Sequence, residues 1–205
     1  MRSIILIALL LFFLESTAQV ADYGNDASEP ADGFFKKEKL FTGGSFTFSF
    51  LNNGIAFGVN PHLGYSVTPW LDLALSINFN HIGQRDIQLA GDKIRDMIVA
   101  PGAFIRLFPV NFLFAQAQFE HNWITQRYVY PSGSPFPEDK TKLKAASFLV
   151  GLGYSGNRRP GQNSYFYFTV MYDILEDPSS PYVNNGGRAF PIFRAGVNIA
   201  LFQRR

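Results

Sequence analysis

The sequence predicts an all-β fold: an eight-stranded antiparallel up-and-down transmembrane β-barrel with a polar, side-chain-filled interior. Three observations predict it. Apolar and polar residues alternate at period two from about residue 40 almost to the end. The small residues, glycine above all, fall on the polar face of that alternation. The alternating runs are about 12 residues or more, enough for the ~9–11 residues of a tilted membrane strand and about twice the ~5–6 of a soluble one.

Composition sets the frame. A chain of 205 residues suits one domain with a tail, and 22 Phe, 9 Tyr and 18 Gly against 3 Met and 2 Trp suit closely packed β structure. A formal charge of +2, with no basic stripe, argues against a nucleic-acid partner. Without cysteine there is no disulfide framework, no thiol catalysis and no lipid-anchored cysteine near the start. Residues 1–18 read as a cleaved signal peptide. Arg2 supplies the positive end, Ile4 to Leu14 an apolar run of 11 residues, and Ser16-Thr17-Ala18 the small residues before a cut. The run is too short to span a membrane, which takes about 20 residues. Residues 19–39 are polar, mixed in charge and aperiodic, as in a flexible periplasmic leader, and residues 40–205 hold the barrel.

Eight strands follow in order, near 40–51, 54–67, 70–81, 95–108, 111–127, 142–155, 163–175 and 190–203. Phe46, Phe48 and Phe50 alternate with Ser45, Thr47 and Ser49 in the first. The third reads LDLALSINFN over 71–80, with Leu71, Leu73, Leu75, Ile77 and Phe79 on one face. The sixth sets Phe148, Val150, Leu152 and Tyr154 against Ser147, Gly151, Gly153 and Ser155. Connections at Thr68-Pro69 and Pro109-Val110 are tight, and Asn52-Asn53 is short. Those at 82–94, 128–141 and 176–189 are long and polar, so long loops gather at one end of the sheet, as on the outer side of a membrane barrel.

The apolar face points outward on three grounds. Gly58, Gly64, Gly102, Gly151, Gly153 and Gly196 share the polar face, and an eight-stranded barrel is barely wide enough inside for side chains. The apolar faces carry almost no charge along strands long enough to cross lipid. Tyr65 and Tyr154 toward the short turns, with Trp123 and Tyr172 toward the long loops, sit where interfacial aromatic girdles form.

GYSVTPWLDLALS (64–76) resembles the second-strand, tight-turn, third-strand unit of small OmpX/OmpA-type outer-membrane barrels of Gram-negative bacteria. FRAGVNIALF (193–202) is similar to their closing strand, although the chain continues past Phe202 to Arg205. The resemblance implies an outer-membrane location and no enzymatic activity.

The inward face carries the charges. Asp72 and Arg106 fall low on the third and fourth strands; Asp173 and Arg194 fall higher on the seventh and eighth, with Glu120 on the fifth at similar depth. Two luminal ion-pair layers are expected, joined by hydrogen bonds from Gln116, Gln118, Asn78 and Asn198, because buried charges persist only when paired. A structural plug is the favoured role over a gate or proton path. His62 faces inward, His81 lies at a loop edge and His121 faces outward between Phe119 and Trp123. A lipid-modifying barrel enzyme would set a His with Ser and an acid on that surface, and no Ser stands beside His121. No HExxH, phosphate-cradling loop or EF-hand spacing appears, so neither cofactor nor metal is expected. The expected function is non-enzymatic: a structural or binding role through the external loops 82–94, 128–141 and 176–189, or as accessory subunit of an envelope complex. Outer-membrane lipid and an envelope protein or surface ligand are the expected partners. A lipid-modifying enzyme and a narrow channel are the alternatives.

Overall fold

The computed structural model describes residues 35–51, 54–86, 89–131, 133–156, 158–159, 164–184 and 186–202. The signal peptide, nearly all of the leader, the Asn52-Asn53 turn and the last three residues lie outside the described residues.

Eight antiparallel strands form a closed barrel in sequence order. They are β1 (Leu40–Leu51), β2 (Gly54–Thr68), β3 (Leu71–Arg85), β4 (Lys93–Val110), β5 (Leu113–Val129), β6 (Asp139–Gly156), β7 (Tyr165–Asp173) and β8 (Ile192–Ala200). Closure is made by β1 against β8, in register from Phe41 opposite Ala200 to Phe48 opposite Phe193. Phe48 and Phe193 stack across that seam with centroids 5.5 Å apart. Closure leaves no strand edge where all eight strands pair. Toward the loop end β6 outruns β7: their ladder stops at Leu149 opposite Asp173, and above it β6 pairs with β5 alone.

Alternation appears in burial as the sequence predicts. Along β3, Asp72, Ala74, Ser76, Asn78 and Asn80 are buried while Leu73, Leu75, Ile77 and Phe79 are exposed. The outside is a continuous apolar belt: Phe46 and Phe50 are each 71 % exposed, and Leu152 equally so. An exposed apolar surface of this size marks a face that meets a membrane or another protein.

Near the loop end the pattern inverts over β3–β6. There the inside becomes apolar, with Ile82, Ile98, Ala100, Ile124 and Ala145 clustered beside Leu51 and Leu143. The outward positions of the same strands become cationic: Arg85, Lys93, Arg95, Arg127, Lys140, Lys142 and Lys144. Inversion corrects two expected loops. β3 and β4 stay paired up to Arg85 opposite Lys93, and β5 and β6 up to Tyr128 opposite Asp139. The connections shrink to 86–92 and 130–138. Residues 82–85, 93–94, 128–129 and 139–141 continue the wall, now with the polarity of a barrel in water.

At the turn end, residues expected to belong to the leader are part of the barrel unit, which begins at Lys36. A short 3-10 turn (Lys37–Lys39) sits at the foot of β2. The Lys36 amide donates to the Tyr65 hydroxyl (3.1 Å) and Lys39 Nζ to the Val67 carbonyl (2.9 Å).

Candidate functional site

The lumen holds the chemistry. Its lower part is an aromatic nest around Arg106. β4 carries Phe104 and Phe108 inward, β5 carries Phe114, and β7 carries Tyr165 and Tyr167. Gly153 faces Phe114 and Gly64 faces Phe41; a Cβ at either position would run into the ring. Glycines on the inward face are thus what lets phenyl rings fit so narrow a bore. The Arg106 guanidinium lies 4.0 Å from the Tyr167 ring centroid and 4.6 Å from that of Phe104. Its Nε donates to Gln116 Oε1 (2.7 Å) and its Nη1 to Asn198 Oδ1 (3.2 Å).

Asp72 and Arg106 stand opposite each other in the β3–β4 ladder, both 1 % exposed. Tyr165 bridges them: its hydroxyl donates to Asp72 Oδ2 (3.3 Å) and accepts from Arg106 Nη1 (3.4 Å). Ser66 supplies a shorter bond to Asp72 Oδ1 (2.6 Å). A planar guanidinium gripped by aromatic faces turns toward Gln116 and Asn198, and so meets the carboxylate through a phenol.

The mid-lumen pair is Arg194 with Glu120, at 2.8 Å between Nη2 and Oε1, both side chains buried. Arg194 does not pair with Asp173 as expected. In the β7–β8 ladder Arg194 stands opposite Thr169, four residues below Asp173, whereas Glu120 reaches it across the bore. Asp173 instead accepts from the amides of Phe148 (3.0 Å) and Leu175 (3.1 Å) and from Ser180 Oγ (2.6 Å).

The two expected layers are therefore one network. Gln116 Nε2 donates to Gln118 Oε1 (2.8 Å), which also accepts from Arg194 Nη1 (2.8 Å). Gln118 Nε2 donates to Glu120 Oε1 (2.9 Å) and to Ser76 Oγ (3.2 Å). His62 joins at the lower end, its Nε2 2.9 Å from Asn198 Oδ1.

Three plugging side chains, Tyr182, Ser180 and Arg158, come from connections and were not singled out from the sequence. From the 174–191 loop, Tyr182 enters the lumen, 4 % exposed. Its hydroxyl donates to Glu120 Oε2 (2.7 Å) and accepts from Asn80 Nδ2 (3.0 Å). Ser180 from the same loop meets Ser147 (2.9 Å) as well as Asp173. At the other mouth, Arg158 from the β6–β7 connection folds under the nest. It lies 3.6 Å from the Phe108 ring centroid and donates to the Pro69 carbonyl (2.7 Å). Each end of the bore thus receives a side chain from a connection.

The girdle candidates lie on the outer wall. Tyr154, Trp123 and Tyr172 are about half exposed, and Tyr65 is half-buried under the Lys36–Lys39 turn. Trp70, 54 % exposed in the β2–β3 turn, extends the lower set. His121 packs edge-on against Trp123 (5.8 Å) and stands opposite Ala146. Its cross-strand neighbour Ala146 and its own-strand neighbours Phe119 and Trp123 offer no hydroxyl nucleophile on that face. Among the described residues, no group of three or more His, Asp or Glu side chains is arranged to hold a metal ion.

No protein-family model matches the chain, and no curated protein matches it. Among solved structures the fold is similar to Ail, the attachment invasion locus protein of Yersinia pestis, in complex with the heparin analogue sucrose octasulfate. That match has 10 % identity and a TM-score of 0.45, over 78 % of this chain and 93 % of that one. It is similar too to the N-terminal β-barrel domain of Pseudomonas aeruginosa OprF, with 14 % identity and a TM-score of 0.42, over 78 % and 95 % of the two chains. Neisserial surface protein A gives 11 % identity and a TM-score of 0.42, over 79 % and 96 %.

Proposed function

We propose that this chain is an integral outer-membrane barrel of a Gram-negative bacterium, exported by its N-terminal signal. It serves as a non-enzymatic structural or binding protein, acting through its external rim or as accessory subunit of an envelope complex. The observation that carries the reading is the side-chain-filled bore inside an apolar belt. Tyr182 and Ser180 enter at one end, Arg158 and the aromatic nest lie at the other, and a hydrogen-bonded network fills the middle. A wall so filled leaves the outer surface and the rim as the places where a partner can act.

Crosslinking in intact cells, followed by mild solubilisation and capture on a C-terminal tag, tests the reading. A stoichiometric envelope protein on the tagged barrel supports the accessory role. Barrel recovered alone supports a free-standing role. Barrel recovered in the soluble fraction would overturn the membrane assignment, and steady unit conductance of purified barrel in planar bilayers would overturn the filled bore.

A further inference from the structure

On the outer wall near the loop end, β2, β3 and β4 enclose a groove of about 380 Å³ that the luminal plug does not explain. Its geometry follows from the ladders. One row across the wall reads Ile55, Gly83, Arg95, and the row below it Phe57, His81, Met97. Above them Arg85 stands opposite Lys93. Gly83 is the gap in the middle of the upper row, and a Cβ built there would meet nothing within 4 Å. The slot thus has an apolar wall of Ile55 and Phe57 and a ring wall where His81 leans on Phe57 (5.3 Å). Arg85, Lys93 and Arg95 crown it.

Those three cations are concentrated at one corner of the wall. Arg95 stands opposite Arg127 in the β4–β5 ladder, and Arg127 stands opposite Lys140 in the next. Like charges set directly across strands repel one another. Arg127 has Glu138 at 3.4 Å. Asp86 accepts from the Gly91 amide, and Asp92 from the Leu89 amide and Tyr128. Among the described residues no side-chain hydrogen bond or ion pair engages Arg85, Lys93 or Arg95. Height matters as well: on the β4–β5 ladder Val99 faces Trp123, and Arg95 lies two inward-outward repeats above it, just past the upper girdle.

We propose that this groove binds a phosphorylated glycolipid of the outer leaflet. Arg85, Lys93 and Arg95 take the phosphate, and the sugar and the first part of an acyl chain lie over Gly83 toward His81, Ile55 and Phe57. Arginine matches a phosphate with paired N–H donors, lysine adds a point charge, and apolar side chains below suit the chain that hangs from the headgroup. The inference rests on the outer-membrane reading above and adds to it a ligand class and a site.

The test uses the full chain in phosphatidylcholine nanodiscs doped with bis-phosphorylated lipid A or with its dephosphorylated counterpart. Lipid A retained on the barrel is counted by native mass spectrometry. Wild type is expected to retain the phosphorylated form about tenfold better, roughly 1.4 kcal/mol. Arg85→Gln/Lys93→Gln/Arg95→Gln should abolish that preference. Gly83→Leu fills the slot where space is open, and should cut retention of both lipids while the barrel stays folded by heat-modifiable mobility. Equal retention by all three proteins would overturn the proposal. Displacement by inorganic phosphate would overturn the lipid assignment in favour of a free-phosphate site. Failure of wild type to enter nanodiscs at all would instead sink the membrane reading, so the two failures are separable.

Discussion

Tyr182, from the connection between β7 and β8, donates its hydroxyl hydrogen to Glu120 Oε2 at 2.7 Å, deep inside the barrel. Glu120 in turn receives Arg194 on its other oxygen. One phenol thus ties the 174–191 connection to the central ion pair of the wall, and the cap and the plug are mechanically one object. A connection held in this way cannot sample the solvent as a free binding arm at Tyr182. Its exposed part is the stretch around Asn184, Gly186 and Arg188.

Tyr182→Phe removes the bond to Glu120 and leaves a buried carboxylate oxygen and Asn80 without that partner. The expected cost is about 1–3 kcal/mol, the penalty for a buried polar group left unsatisfied. Urea unfolding in lipid vesicles followed by Trp fluorescence should show the lower midpoint. Protease cleavage within 174–191 should also rise. An unchanged midpoint with unchanged cleavage would mean that the loop is held by Ser180 and Asp173 alone.

The Glu120–Arg194 pair predicts a non-additive series. Arg194→Met strands a buried carboxylate and should cost roughly 3–5 kcal/mol, whereas Arg194→Met/Glu120→Gln removes both charges and should recover much of that loss. Asp173→Asn should be additive with Arg194→Met, because Asp173 takes its bonds from Ser180 and two backbone amides. Strong coupling between positions 173 and 194 would restore the pairing that the sequence suggested.

The wall was legible because a strand with one packed and one exposed face enforces a two-residue period, and a residue on the wrong face is costly. β1 through β8 differ from their sequence bounds by a few residues at most. What the sequence hid has three physical causes. Toward the loop end the polarity of the two faces inverts, so Ile82, Ile98 and Ile124 turn inward beneath an outer row of charges. The strands there look like polar loops to a search for apolar outer faces. Charge pairing across the bore depends on the stagger of the closed sheet, which places Glu120 and not Asp173 against Arg194. Tyr182 and Arg158 come from aperiodic connections, where no repeat marks one side chain as inward. A lone Tyr amid SPYVNNGG carries no sign of its destination.

Glycine in the lumen predicts a sharp positional contrast. Gly153→Val drives a branched side chain into the Phe114 ring, where overpacking costs about 1–3 kcal/mol. The same change at Gly83 meets open space on the outer wall and should leave stability within about 0.5 kcal/mol. Equal destabilisation at both positions would mean that the ring and not the glycine has room to move.

His121→Ala separates the binding protein from a lipid-modifying enzyme. His121 rests against Trp123 with Phe119 and Ala146 around it. Its removal should leave the cell's lipid A profile unchanged by mass spectrometry, and barrel stability should fall only by a fraction of a kcal/mol, as for an exposed interfacial contact. A missing or altered lipid A species in the variant strain would reopen the enzymatic reading.

Leu75→Arg asks the most of the whole assignment. Leu75 sits at the middle of the outward row Leu71, Leu73, Leu75, Ile77, Phe79 and is 66 % exposed. For a barrel in water that position is surface, and an arginine there would be neutral or would improve solubility. For a barrel in lipid it lies near the midplane, where arginine costs about 2–4 kcal/mol, falling to about 0–1 near the interfaces. Moving the same substitution along the strand gives the depth profile directly: Leu75→Arg should be the costliest, and Leu71→Arg, beside the β2–β3 turn, the cheapest. Unfolding midpoints in vesicles read the series, and a flat profile with all variants soluble would show the apolar belt to be a protein-binding surface and not a lipid-facing one.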